Sequence, residues 1–246
     1  MSKWAEGTVV AQRHWAGRLY SLQVEAELAP FQAGQYAKLA LAVDGEMVGR
    51  PYSFVNAPTE RPHEFHYVVL PEHPLTPRLS RLEAGDTVYL TPKASGFLTL
   101  AEVPPGEHLW LLASGTALGP FLSILKTEAP WQRFKRVVLV HAVRRAEELC
   151  YQEQIQALQA RHAGQFVFVS VVSGEHADFA LGGRIPKAIE DGRLEARAGI
   201  RLAQSSRLMV CGNPAMVADT VHALQQRGLK KHRRRDPGQI CVENYW

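Results

Sequence analysis

Between residues 8 and 91 short runs of alternating apolar and polar positions are separated by turn residues. The runs at 18–24, 35–41, 64–70 and 86–90 are rich in Leu, Val, Tyr and Phe, and breaks fall at Ala33-Gly34, Asp44-Gly45, Ala84-Gly85-Asp86 and several prolines. Strands with one face in a core show this period of two, and short strands with regular turn punctuation predict a small antiparallel β-barrel. Past residue 100 the rhythm changes. Residues 109–113, 137–140, 166–169 and 208–211 are continuous apolar runs, as in strands covered on both faces, and helices are predicted at 120–126, 147–161, 186–191 and 214–227. That alternation predicts an α/β domain with a parallel sheet, whose ligands lie outside the carboxyl ends of the strands. Pro92, Gly96 and Pro104-Pro105-Gly106 punctuate the change, which sets a barrel over 1–101 and a nucleotide-binding-type domain over 102–246.

Composition narrows this picture. At 246 residues, 46% hydrophobic and 21% charged, the chain has the balance of a globular protein with room for two modest cores. No run approaches membrane-spanning length, and the start lacks the apolar core of a secretion signal, so a cytoplasmic location and no membrane partner are expected. Cys150, Cys211 and Cys241 are odd in number and have no C-x-x-C spacing, which supports neither a disulfide framework nor an iron–sulfur or zinc site; no metal is expected. The chain has 28 Lys and Arg against 24 Asp and Glu, and five of the 28 lie in Lys230-Lys231-His232-Arg233-Arg234-Arg235, leaving 23 elsewhere. The positive excess is local. It reads as a solvated loop, a nucleic-acid patch or a docking surface for an acidic partner; a single short cluster without interleaved aromatics argues against nucleic acid.

Four stretches carry candidate chemistry. In an extended Arg50-Pro51-Tyr52-Ser53, Arg50 and Tyr52 share a face, presenting a forked cation suited to phosphate beside an aromatic plate suited to a planar ring. The same four residues also suit an ordinary strand. Ser114-Gly115-Thr116-Ala117-Leu118-Gly119-Pro120 joins a strand to a helix; its two glycines admit close backbone approach to a pyrophosphate, and equally suit a plain turn. Cys211-Gly212-Asn213-Pro214 is a second such turn, with Asn213 as N-cap and Pro214 at the first helical position. Arg144, Arg145 and Arg184 follow strands on the same edge, where guanidinium groups can hold a 2′-phosphate or simply stand in solvent.

Together with the ending Val242-Glu243-Asn244-Tyr245-Trp246, these motifs resemble, over nearly the whole chain, the bacterial ferredoxin/flavodoxin–NADP reductases of the plant-type ferredoxin–NADP reductase superfamily. The resemblance implies an FAD-dependent enzyme that exchanges a hydride with NADP(H) and single electrons with ferredoxin or flavodoxin. Arg50 would then bind the FAD diphosphate, Tyr52 would pack on the flavin, and Ser53 would lie near its N5. Tyr67, Val68 and Val69 would line the flavin site, Leu75 and Thr76 its phosphate end, and Thr116 the domain junction. Arg144 and Arg184 would meet the NADP phosphate, Cys211 would sit beside the nicotinamide, and Trp246 would stack on the flavin as a displaceable lid. Pro51, Pro74, Arg145, Ser173 and Tyr245 complete the implied contacts. Glu243 would assist protonation at N5 or stand as a solvated carboxylate.

Two positions depart from the family pattern. Val171-Val172-Ser173 is followed by Gly174 where relatives usually carry Arg, which removes one phosphate contact and implies weaker NADP preference, with Arg145 as the substitute. His73-Pro74 stands where relatives tend to have Gly. An NAD(P)H-dependent flavin or oxygenase reductase of the same superfamily is the enzymatic alternative, and a flavin- or nucleotide-binding sensor module the non-enzymatic one.

Overall fold

A computed structural model describes residues 3–244. The first sheet is built from β1 (Ala5–Ala16), β2 (Leu19–Ala26), β3 (Tyr36–Val43), β4 (Glu46–Ser53), β5 (His63–Val68) and, after the one-turn helix α1 (Thr76–Leu79), β6 (Thr87–Leu90). Its order is β4-β3-β6-β1-β2-β5 and every pair is antiparallel. The edges β4 and β5 meet only through a bridge between Phe54 and Phe65 and a 2.8 Å hydrogen bond from the Val55 N–H to the Glu64 carbonyl, so the barrel is not fully closed. Pro51 sits in the middle of β4, where the missing N–H is tolerated because this strand is an edge. Alternate residues point inward: Leu22, Val24, Leu39, Phe65, Val88 and Leu90 are buried together, with Phe31 and Phe54 stacked at 3.9 Å.

The second half runs β7 (His108–Ser114), α2 (Leu118–Leu125), α3 (Ala129–Arg133), β8 (Arg136–Val143), α4 (Gln152–Arg161), β9 (Phe166–Val172), β10 (Leu181–Gly182), α5 (Ile185–Glu190), α6 (Arg193–Ala198), β11 (Ser206–Gly212), α7 (Pro214–Gln226) and β12 (Ile240–Asn244). All strands are parallel in the order β10-β9-β8-β7-β11-β12. The continuous apolar runs divide by parity. Leu109, Leu111, Val137, Leu139 and Met209 enter one core, while Trp110, Leu112, Val138, Val140, Leu208 and Val210 enter the other. Successive strands proceed from β7 through β8 to β9, then cross back to β11 on the other side of β7. The order therefore reverses between β7 and β11, and a ligand crevice is expected there.

Two sequence expectations shift. The helix expected at 120–126 begins at Leu118, after a 3-10 turn over Gly115–Ala117. The one expected at 147–161 begins only at Gln152, because Tyr151 adopts a left-handed conformation (φ 61°, ψ 24°) that ends the preceding turn. Its side chain is held between the two halves of the molecule, and that burial overrides local helix propensity. Segments α1, α3, α6, β10 and β12 carry too few residues for a readable period.

Candidate active site

A cleft of about 1350 Å³ lies where the sheets meet. Its barrel wall includes Arg50, Tyr52, Ser53, Tyr67 and Thr76; its far wall is Val242, Glu243 and Asn244 of β12. Arg50 is exposed, and its Nη1 donates only to the neighbouring Gly49 carbonyl at 2.9 Å; no carboxylate pairs with it among the described residues. Tyr52 is half-buried and meets Tyr67 edge-on with ring centroids 6.0 Å apart. Burial raises the pKa of both phenols, so both are neutral donors. Tyr67 is anchored by its hydroxyl, which donates to Gln12 Oε1 at 2.7 Å. Ser53 is buried at the end of β4.

A smaller pocket of about 210 Å³ adjoins the cleft at the strand-order reversal, lined by Ser114, Gly115, Glu148 and Asn213. Val68 and Thr116 belong to the walls of both cavities. His141, whose pKa is pushed down to about 4 by burial, is neutral and donates through Nε2 to the Gly115 carbonyl at 3.0 Å, which fixes the turn. Gly115 has a φ of 55°, a left-handed position that suits glycine. Gly119 meets the barrel. A Cβ there would lie 3.3 Å from Val55 Cγ2 of the barrel, so its smallness lets α2 dock against the first domain. Asn213 caps α7 as expected, its Oδ1 accepting from the Ala215 and Met216 N–H groups at 2.9 and 3.4 Å.

Other expected site residues fall in differing surroundings. Val69 packs partly buried against the barrel core, with its N–H on the Arg18 carbonyl at 2.8 Å. Leu75 is fully buried, and the Pro74 carbonyl accepts from Arg78 Nη1 at 2.7 Å. Cys211 is fully buried in an apolar cluster, where burial first and the Glu243 carboxylate second raise its pKa well above the ordinary thiol range. Its strand partner Glu243 is half-buried in the cleft wall, and burial raises its pKa against the lowering effect of the Leu98 backbone. Glu243 is thus partly enclosed rather than fully solvated. Tyr245 and Trp246 lie outside the described residues.

Arg144, Arg145 and Arg184 are all exposed on the carboxyl edge formed by β8, β9 and β10. Arg145 approaches Glu147 at 3.9 Å, and Ser173 Oγ donates to the Val143 carbonyl at 3.2 Å. Gly174 donates its N–H to the Arg144 carbonyl at 2.7 Å, and a Cβ at this position would lie 2.7 Å from that oxygen. No side chain fits there without moving the backbone. Sequence reasoning missed His66, Phe97 and Lys93 as cleft residues, because nothing in their local pattern marks them.

The basic segment is partly neutralised. Lys230 pairs with Asp236, and Arg234 pairs with Glu102 at 2.7 Å while lying 4.9 Å over the Phe97 ring. Lys231, Arg233 and Arg235 remain exposed without a carboxylate partner among the described residues, and Phe97, 71% exposed, stands at the cleft rim.

An antiparallel barrel joined to a doubly wound parallel sheet, with a cleft at their junction, is the architecture of a two-domain oxidoreductase, and residues 111–222 match the family described as oxidoreductase NAD-binding domain. A solved ferredoxin NADP+ reductase from Neisseria gonorrhoeae with bound FAD and NADP is similar at 33% identity and a TM-score of 0.95, with 100% of both chains covered. A flavodoxin/ferredoxin–NADP reductase of Escherichia coli (strain K12) is 46% identical over 248 residues, covering 100% of both chains, and a ferredoxin–NADP reductase of Azotobacter vinelandii is 32% identical, covering 96% of this chain and 95% of its own. The chain belongs to the flavodoxin/ferredoxin–NADP reductase family. Among the described residues no helix is long and apolar enough to cross a membrane.

Proposed function

We propose that this chain is an FAD-dependent ferredoxin/flavodoxin–NADP reductase, which exchanges a hydride with NADP(H) and single electrons with an acidic protein carrier. The observation that carries the reading is the shared wall: Val68 and Thr116 face both the large cleft and the pocket at the strand-order reversal, so ligands in the two cavities meet there. The residues present fit FAD. The cleft exceeds the roughly 300–1,000 Å³ usual for small ligands, as a dinucleotide requires, and it offers an unpaired guanidinium for a diphosphate and neutral phenols for a ring.

Under this reading Arg50 holds the diphosphate, with Pro51 beside it, Tyr52 lies against the flavin ring, and Ser53, Tyr67 and Val68 bound the reacting edge. FAD supplies the coupling of two-electron to one-electron chemistry; the protein supplies position and electrostatics. Arg144 and Arg184 hold the NADP phosphate, with Arg145 and Ser173 beside them. Glu243, its pKa raised by burial, stands in the cleft wall as the acid-base group for proton exchange at N5. The chain is divided at 101/102 into an FAD-holding and an NADP-holding unit, a division supported by the change from antiparallel to parallel pairing between β6 and β7. A cytoplasmic location accords with three unpaired cysteines.

The test is direct. Purified protein is expected to be yellow, to bleach on anaerobic addition of NADPH, and to pass electrons to ferredoxin or flavodoxin. A yellow protein without NADPH response would indicate a sensor, and one that bleaches but reduces free flavin rather than either carrier would indicate a flavin reductase. For the carrier, the exposed cations on either side of Arg234, which lies over the cleft residue Phe97, support electrostatic docking. Arg233→Glu with Arg235→Glu is expected to slow carrier reduction about tenfold at low salt and less at high salt, with ferricyanide reduction retained. An equal loss toward ferricyanide removes the docking assignment. Arg234 is the wrong residue for this test, because its removal also strips Glu102 of its partner and uncovers Phe97.

A further inference from the structure

The turn between β5 and α1 is closed by a side chain. His73 Nδ1 lies 3.1 Å from the Leu75 N and 3.4 Å from the Thr76 N. Two N–H groups aimed at one ring nitrogen require a lone pair there, so Nδ1 is unprotonated and the proton of the neutral ring is on Nε2. Partial burial and the nearby Arg50 guanidinium both lower the His73 pKa, which keeps the ring in that neutral form. In this structure the Leu75 and Thr76 amides are thus turned toward the imidazole. What the turn presents instead is the imidazole itself: His73 lines the cleft with Arg50 and Thr76, and its Nε2 has no hydrogen-bond partner among the described residues.

We propose that His73, on the reading of this cleft as an FAD site, is a second contact to the cofactor's diphosphate beside Arg50, donating through Nε2–H while the Leu75 and Thr76 amides hold its Nδ1. The two groups are complementary. Arg50 brings charge on a flexible stem, whereas the imidazole brings a neutral donor whose direction is set by its own turn, so little freedom is lost on binding. A hydrogen bond to an anionic oxygen is worth about a tenfold change in affinity or more.

The experiment titrates the flavin-free full-length protein with FAD and with riboflavin, which lacks the phosphates. His73→Ala is expected to weaken FAD about tenfold and riboflavin not at all. In His73→Asn the Oδ1 can still accept from the two amides, as an N-cap asparagine does, but the side chain is too short to bring a donor into the cleft. It is expected to keep the wild-type thermal midpoint and yet lose FAD affinity as His73→Ala does. Wild-type FAD affinity in either variant overturns the assignment, as does equal weakening of FAD and riboflavin, which would mark a residue that only holds the turn. A wild-type protein that binds no FAD overturns the reading of the cleft itself, and the two failures are thereby distinguished.

Discussion

Gly212→Ala is expected to lower kcat/KM for NADPH by about a hundredfold while the flavin content of the purified protein stays that of wild type. Gly212 ends β11 at the strand-order reversal with a φ of 148°, a backbone conformation that L side chains rarely adopt. The space beside it is closed as well. An added Cβ would overlap Ser114 Oγ from the facing turn and lie 2.7 Å from Met216 Cε. Ser114 and Asn213 both line the smaller pocket, which on the proposed reading takes the nucleotide that meets FAD, and the Asn213 N–H donates to Ser114 Oγ at 3.3 Å. Alanine therefore forces the two turns apart where the nucleotide enters. Backbone strain of about 1–3 kcal/mol and overpacking of similar size are enough for the effect. Because Ser114 is the nearest obstacle, adding Ser114→Ala is expected to recover part of the loss. Steady-state kinetics with ferricyanide as acceptor measure both variants, and an unchanged KM and kcat for Gly212→Ala would remove the assignment of this pocket to the nucleotide.

Tyr151→Phe is expected to lower the thermal midpoint by about 6 °C and to reduce kcat with it. Tyr151 belongs to the α/β half, yet its hydroxyl donates at 2.7 Å to Glu64 Oε1 of the barrel, in buried surroundings. The ring is packed between Trp15 at 4.5 Å, tilted, and His66 at 5.3 Å, edge-on. Phenylalanine keeps that packing and deletes only the donor. The carboxylate of Glu64 then retains a single long contact, from Gln23 Nε2 at 3.5 Å, and a buried charge short of partners costs about 2 kcal/mol or more. Glu64→Gln, which keeps an acceptor for the hydroxyl, is expected to cost less than half as much. His66, with its pKa pushed down to about 3 by burial, is neutral and cannot take over the charge pairing. A midpoint within a degree of wild type in differential scanning calorimetry would show that this hydrogen bond does not hold the domains together.

These two positions show where sequence reading reaches and where it stops. The turn around Gly212 was legible because its signals are local: an apolar strand, then Cys211-Gly212-Asn213-Pro214 with a capping side chain and a proline at the first helical position. Its role against Ser114 was not, since that residue is about a hundred positions away. Tyr151 was misread as part of a helix, because the apolar pattern of 147–161 carries no mark of the left-handed residue that interrupts it. The two glycines of the first turn suited ligand approach and a plain turn equally, and the contact of Gly119 with the barrel came only with folding. For the basic segment, the count of cations was readable, but which of them Asp236 and Glu102 neutralise was decided by folding.

What the sequence determined by itself is the kind of molecule: an antiparallel unit followed by a parallel α/β unit, the strand-to-helix turns of the second, and four motifs whose order resembles one reductase family. Periodicity and turn chemistry depend on neighbours within a few residues, so they survive in a one-dimensional record. What only the tertiary structure decided is the site. The strand order that places Gly115 beside Gly212, the wall that Val68 and Thr116 share between two cavities, and the Glu64–Tyr151 contact across the domains each join residues tens of positions apart. Such contacts follow from burying apolar faces together and satisfying the polar groups enclosed with them, and no local stretch contains that information.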